Sequence, residues 1–359
     1  MFTSNGESKA SSDRDPNSAR ESAMNERVQR STSPRTTPSV RSEHTGLLQS
    51  RDQSQLKPNT GFLILFTAIM QLPGIVVGYA LGYQNQIEAC FNVKFGWKTE
   101  EDIHWYEGLI GSAGMLGMTF GAVSGGLLMQ IGRRKSLFIV IAISIAASVV
   151  IFHLNFTLLL ISRFLFGFAA GLYSSIIPKI LVETSPAQYY DLVGVSFSFS
   201  QTVGTLFGFL MGEFLPEDTD TAGLLQTDRW MISYIYFPVA LNLVTLVALL
   251  LVVKYDSINF LINTGQVDEA RLAVKQMYAH CDDVASQDYC IKILKDSMGQ
   301  GSSGLTLKDG LLDERYRRAT WINFTYIIFH ELTGINVINL YSSQMLREMQ
   351  GHGGSLTPR

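Results

Sequence analysis

The chain has 359 residues, 47% of them hydrophobic and only 16% charged, with 28 basic and 31 acidic side chains for a net charge of −3. No basic patch interleaved with aromatics is present, which excludes a nucleic-acid-binding surface. Several apolar runs reach the length of about 20 residues that crosses a bilayer, which excludes a soluble enzyme and predicts an all-α polytopic membrane protein.

In chain order, residues 1–57 are rich in Ser, Thr, Arg, Asn and Gln, too polar to repay the entropy of ordering, and read as a disordered tail. The tail carries Ser33-Pro34 and Thr37-Pro38 as candidate phosphorylation sites. No apolar segment opens it as a signal peptide. A six-span unit is expected over 58–253. Its spans run from about Gly61 to Tyr83, Tyr106 to Met129, Leu137 to His153, through Arg163–Pro186, then Leu192 to Gly212 and Trp230 to Val253. The stretch from Arg163 to Pro186 organises the rest. Gly167 and Gly171 recur from Arg163 at helical spacing and Ser174 and Ser175 continue the small face, so neighbouring backbones can approach closely. Arg163 then lies at membrane depth and must face the bundle interior or water.

A polar insert, 254–318, follows. Val267, Ala270, Val274 and Met277 recur at helical spacing, and Gly265 stops the short helix before them. A seventh span is predicted over 319–346, with an outer tail at 347–359. Lys and Arg gather in the tail, at Arg133–Lys135, at Lys179 and in the insert, whereas Glu213, Glu217, Asp218, Asp220 and Asp228 crowd the loop after the fifth span. That asymmetry puts the amino terminus in the cytosol and argues against a seven-span receptor, which needs that terminus outside. Cys281 and Cys290 then fall in a reducing compartment, where free thiols are expected. The three cysteines, Cys90 included, show no metal-ligand spacing, and neither metal nor cofactor is expected. Asn155-Phe-Thr157 is a glycosylation sequon in a turn too tight for use.

Six spans, a helical insert and a further span suggest a transporter of two six-helix halves. From Arg163, the glycines at 167 and 171 with Pro178, Glu183 and Pro186 resemble the fourth-span signature of the sugar-porter family of the major facilitator superfamily. Gly125, Gly132, Arg133 and Arg134 match the superfamily loop after span two, with Met129 and Gln130 replacing an Asp-Arg pair. The family's Arg-Gly after span four stands here as Tyr190-Asp191. Tyr255-Asp256-Ser257 and Phe260-Leu261 resemble the motif after span six. Gly78-Tyr79, Gly82 and Asn85 resemble the first span of facilitative glucose carriers, and His330 to Asn336 resembles the family's Gln-Gln-Leu-Ser-Gly-Ile-Asn. The resemblance covers about Gly61 to Leu346.

The resemblance implies the amino-terminal half of a major facilitator fold plus the first helix of the second half. It implies alternating-access transport of a hexose-like sugar by an integral membrane protein, not an enzyme. It assigns sugar contacts to Gln201, His330, Glu331 and Asn336, although an interhelical hydrogen bond is the competing role for Gln201. Arg133, Arg134, Glu183 and Asp256 resemble a conformational latch, with topological signalling as the alternative for the two arginines. Arg163 is an intramembrane charge whose acidic partner in proton-coupled relatives falls at Ala80, which implies facilitated uniport. Glu331 beside His330 keeps proton symport open as an alternative. Since a sugar porter has about five more spans, the chain reads as truncated, and a sugar sensor or regulator paired with a full-length transporter is a further alternative. Glu43 to Leu48 resembles an acidic dileucine signal, so the plasma membrane and endosomal or vacuolar membranes are both expected locations.

Overall fold

The computed structural model describes residues 58–186, 189–216, 221–278, 283–299, 314–334 and 338. Six long helices form a bundle: α1 (Thr60–Phe95), α2 (Glu100–Leu128), α3 (Arg133–Val150), α4 (Phe156–Thr184), α5 (Tyr190–Leu210) and α6 (Phe237–Val252). A short helix, Thr221–Gln226, and a π turn, Ile232–Tyr236, precede α6. Then come α7 (Ile258–Asn263), α8 (Val267–Met277), α9 (Asp283–Gly299) and α10 (Glu314–Leu332). Among the described residues the only β pairing is one isolated bridge, Pro58 to Tyr278.

Five segments are long and apolar enough to cross a membrane: Thr60–Gln84, Glu100–Ile131, Phe156–Thr184, Tyr190–Leu210 and Ile232–Val252. Between them α3 packs against α4 and α6 behind its basic first turn. Large apolar side chains such as Val123, Leu192, Val195, Phe199 and Leu251 point outward. A bilayer covers such a surface, and the protein is an integral membrane protein.

Several helix boundaries differ from the sequence expectation, the start of α4 at Phe156 and not Arg163 among them. The first helix does not stop at Tyr83 but continues to Phe95, because Tyr83, Ile87, Cys90 and Phe91 form a buried stripe. It ends at Gly96, whose left-handed backbone (φ 73°) lets its N–H reach the Asn92 and Val93 carbonyls. The acidic run Glu100, Glu101, Asp102 is not loop but the first turn of α2, where carboxylates complement the helix dipole. Asn155 caps α4, its side chain accepting from the Thr157 N–H at 2.9 Å.

Two helix pairs set the frame, α2 along α4 and α1 along α5. Both run parallel with backbone against backbone. A Cβ on Gly117 or Gly121 would overlap the Phe164 or Phe168 carbonyl, and one on Gly167 or Gly171 would overlap the Gly114 or Met118 carbonyl. Gly78 and Gly82 meet Gln201 and Thr205 in the same way, and Gly204 meets Ile75. Small residues produce this approach inside a membrane, where no hydrophobic force drives helices together.

The buried apolar side chains form two storeys. One, around Met70, Leu137, Tyr173 and Ile177, lies toward the arginine-bearing end. The other, around Tyr83, Phe91, Trp230 and Tyr234, lies toward the opposite end. The π turn precedes Pro238, which lacks an N–H and would clash with the preceding helical turn. The Ser233 carbonyl within that turn accepts from the Tyr79 hydroxyl at 2.7 Å.

Polar links cross the first storey. Asn242, fully buried, accepts from the Tyr173 hydroxyl (2.9 Å) and donates to Ser144 Oγ (3.0 Å) and the Pro238 carbonyl (2.8 Å). No sequence motif announces it. Asn242→Leu is expected to lower stability by about 1–2 kcal/mol, because it leaves the Tyr173 hydroxyl and Ser144 buried without their partner. Thermal unfolding in detergent measures this, and a midpoint equal to that of the unmodified chain would remove Asn242 from the frame.

The insert packs as its own cluster of Ile258, Leu261, Val274, Met277 and Tyr278. It is pinned to the start of α1 by the Asn59 N–H bonding the Met277 carbonyl at 2.8 Å. Gly265, at φ 77°, turns the chain between α7 and α8. Lys275 bonds Asp283, and that hydrogen bond, with the Lys275 charge, holds the Asp283 carboxyl below its ordinary pKa. The associated stabilisation is present at neutral pH and is lost as pH falls through the lowered value. Burial raises the Tyr289 hydroxyl, which sits at 3.2 Å from that of Tyr278.

Candidate functional site

At the arginine-bearing end, three distant stretches meet. Gly132 precedes α3 at φ 127°, a backbone open to glycine, and a Cβ there would lie 2.8 Å from Asp256 Oδ2. The Asp256 carboxylate therefore reaches the start of α3 and accepts from the N–H groups of Arg133 (3.0 Å) and Arg134 (3.3 Å), and from its neighbour Ser257 (2.8 Å). It caps the helix and meets the positive end of its dipole.

The Arg133 side chain turns toward α4. Its Nε and Nη2 donate to the two oxygens of Glu183 at 3.0 and 2.9 Å, and Nη1 donates to the Met129 carbonyl at 3.2 Å. The guanidinium lies 5.1 Å from the centre of the Phe260 ring. Ser257 Oγ donates to Glu183 at 3.1 Å and accepts the Phe260 N–H, capping α7. With the pair only 15% and 14% exposed, this bidentate geometry is worth more than a surface ion pair. Arg134 takes a separate path: Nη1 donates to the Lys254 carbonyl (2.8 Å), and the guanidinium lies over Phe138.

The four residues expected as a latch thus come together and clasp α3, α4 and the entry to the insert. Ser257 and Phe260 complete the clasp, and both lie in the stretch resembling the post-span-six motif.

Arg163 sits on α4 in the opposite storey, 94% buried at a relative exposure of 6%. Its Nη1 donates to the Tyr83 hydroxyl at 3.1 Å, and its guanidinium lies 5.0 and 5.4 Å from the Tyr83 and Tyr234 ring centres. Nε and Nη2 have no protein hydrogen-bond partner among the described residues, and no described carboxylate lies within ion-pair distance. Cation–π contacts of about 2 kcal/mol each offset only part of the several kcal/mol that burying a charge costs. Arg163 opens onto a cavity between α1, α2 and α4 that Ala80, Gln84, Met115 and Met118 also line. Gln84 is 3% exposed, and neither its amide nitrogen nor its oxygen has a protein partner there. Tyr83 and Gln84 both fall between Gly82 and Asn85 of the glucose-carrier-like motif in the first span, at positions that the motif leaves open, and nothing in the sequence marks Tyr234.

Of the four expected sugar contacts, only Gln201 and His330 have described side chains. Gln201 is half-buried on α5, with its backbone against Gly78 and its carbonyl accepting from Thr205 Oγ1. His330, near the end of α10, is exposed, with its ring 6.4 Å from that of Tyr326. Glu331 lies on α10 with its side chain outside the described residues, and Asn336 lies outside them altogether. The tail with Glu43–Leu48, Cys281, and residues 347–359 also lie outside. Cys90 and Cys290 are buried, and no cluster of metal-ligating side chains occurs among the described residues.

Comparison with known proteins agrees with this architecture. A family profile described as "Sugar (and other) transporter" matches residues 66–353. The chain is 27% identical over 307 residues to Hexose transporter 1 of Plasmodium vivax (strain Brazil I), covering 81% of this chain and 59% of that protein. It is 28% identical over 295 residues to a D-xylose transporter of Levilactobacillus brevis, covering 82% and 59%. The chain therefore spans about three-fifths of the length of these curated relatives. The partially occluded inward-open xylose transporter XylE from E. coli superposes with a TM-score of 0.60 at 17% identity, over 79% of this chain and 65% of that one. A likeness at that identity carries the fold, and the profile match carries the family. With its two glycine-locked helix pairs and its charged clasp, this chain has a major facilitator fold and belongs to the family described as "Sugar (and other) transporter".

Proposed function

We propose that the chain supplies the amino-terminal side of a hexose carrier that works by alternating access, as facilitated uniport and not proton symport. The observation behind uniport is Arg163, which is held by two tyrosines with Ala80 on the facing helix wall and no acid beside it among the described residues. A proton-coupled cycle needs a carboxyl that gains and loses a proton against such a charge. On this reading the amino terminus is cytosolic. The clasp of Arg133, Glu183 and Asp256 steadies the cytosolic end of the half and loosens as the two halves rock. The relatives named for hexose and xylose transport support the substrate class.

The test is sugar uptake into proteoliposomes. Uptake that persists with the proton gradient collapsed by a protonophore is the expected result. Uptake abolished by the protonophore would establish symport. Sugar binding without any uptake would favour the sensor reading.

Gln201, His330, Glu331 and Asn336 are the proposed sugar contacts. Gln201→Ala is expected to weaken hexose affinity about tenfold, the effect of losing one or two hydrogen bonds to sugar hydroxyls. Unchanged affinity in a binding titration would return Gln201 to a packing role.

A further inference from the structure

The cavity beside Arg163 contains more unmet polar capacity than hexose recognition explains. A guanidinium has five N–H donors, and the three on Nε and Nη2 find no protein acceptor among the described residues. Gln84, one helical turn beyond Ala80 on α1, adds an amide whose donor and acceptor atoms are both unpartnered. Arg163 and Gln84 both line the same cavity, which has room for about four water-sized molecules. The rest of its wall is apolar or glycine, including Val77, Met115, Met118 and Gly167. A fixed positive charge with unpartnered donors, at membrane depth, has no carboxylate in reach among the described residues to act as a counter-charge.

We propose that this cavity binds a small monovalent anion, a halide or short carboxylate, held by Arg163 Nε–H and Nη2–H and the Gln84 amide N–H. The anion is a structural counter-ion that takes the place of a covalent acid on α1. The apolar wall of the cavity disfavours a divalent anion, which would be only half neutralised. The inference does not rest on the sugar-transport reading, because the anion is held whether or not the chain moves a sugar.

The experiment measures thermal unfolding of the purified full chain in detergent while sodium chloride replaces sodium gluconate at constant ionic strength. The expected result is a saturable rise in the unfolding midpoint with chloride, reproduced by formate. Gln84→Leu is expected to raise the half-maximal chloride concentration about tenfold, consistent with loss of one hydrogen bond to a charged group. Arg163→Gln is expected to remove the response. Ala80→Asp, which places a carboxylate on the cavity wall, is expected to be as stable without chloride as the unmodified chain is with it, and to ignore added chloride. If Arg163→Gln does not fold, Gln84→Leu and Ala80→Asp decide the matter. A midpoint in the unmodified chain that does not respond to either anion would mean that water alone solvates Arg163. An undiminished response in Gln84→Leu and Ala80→Asp would place any anion elsewhere. Either result overturns the proposal.

Discussion

Gly167→Leu is expected to abolish recovery of folded, monodisperse chain from detergent, at a cost above about 3 kcal/mol. The position has no spare room. Even a Cβ would overlap the Gly114 carbonyl, and the overlap is with backbone, not with the end of a side chain that could swing away. Overpacking an ordinary core costs about 1–3 kcal/mol, because neighbours relax. Here α2 and α4 would have to separate along their length and lose the contacts at Gly117, Gly121 and Gly171 together. Against a total stability of about 5–15 kcal/mol, that loss leaves little margin. The matched control is Gly126→Leu on α2, where a Cβ meets nothing within 4 Å, and near-normal recovery is expected. Size-exclusion profiles of the two variants side by side make the comparison. Equal recovery would show that the α2–α4 approach can widen without harm.

Arg133→Leu is expected to lower stability by about 2–3 kcal/mol. The substitution removes two donors from a Glu183 carboxylate that is 14% exposed in the intact pair, with Ser257 as its remaining hydrogen-bond donor among the described residues. Removing one partner from a fully buried pair costs about 3–5 kcal/mol, and the residual exposure on both sides reduces that figure. The Asp256 contacts should survive, since they are made to the backbone N–H groups at 133 and 134. The double variant Arg133→Leu with Glu183→Leu should recover much of the loss, because no orphaned charge remains. A thermal-unfolding double-mutant cycle reads the coupling directly. Additive losses would mean that Arg133 and Glu183 act separately and that the clasp is only a set of neighbours.

The helix order was legible from hydropathy because a bilayer demands long apolar runs and short polar turns, and both signals survive in a single sequence. The extension of α1 to Phe95 was not, since Gln84 to Glu88 read as polar loop. Those residues stay helical because Ile87, Cys90 and Phe91 find a cluster containing Trp230 and Tyr234, far along the chain. At the clasp, the resemblance pointed to Arg133, Arg134, Glu183 and Asp256, but not to how they are used. The chief role of Asp256 is with backbone N–H groups, which carry no side-chain signature. For Arg163, the sequence predicted a buried charge without its acid. Its tyrosine faces and the unpartnered Gln84 depend on how α1, α4 and the π turn are rotated about their axes, which periodicity does not specify.

By itself the sequence determined the class and the sites of close helix contact, because hydrophobic length and the placing of glycine are local properties of the chain. It also determined that Ala80 offers Arg163 no charge. Tertiary structure alone decided which groups Arg163 does meet, and that it shares a cavity with Gln84. The physical reason is reach: a buried arginine is balanced by whatever lies within a few ångströms. Those neighbours come from α1, α2 and the turn before α6, up to 86 residues from it in the chain.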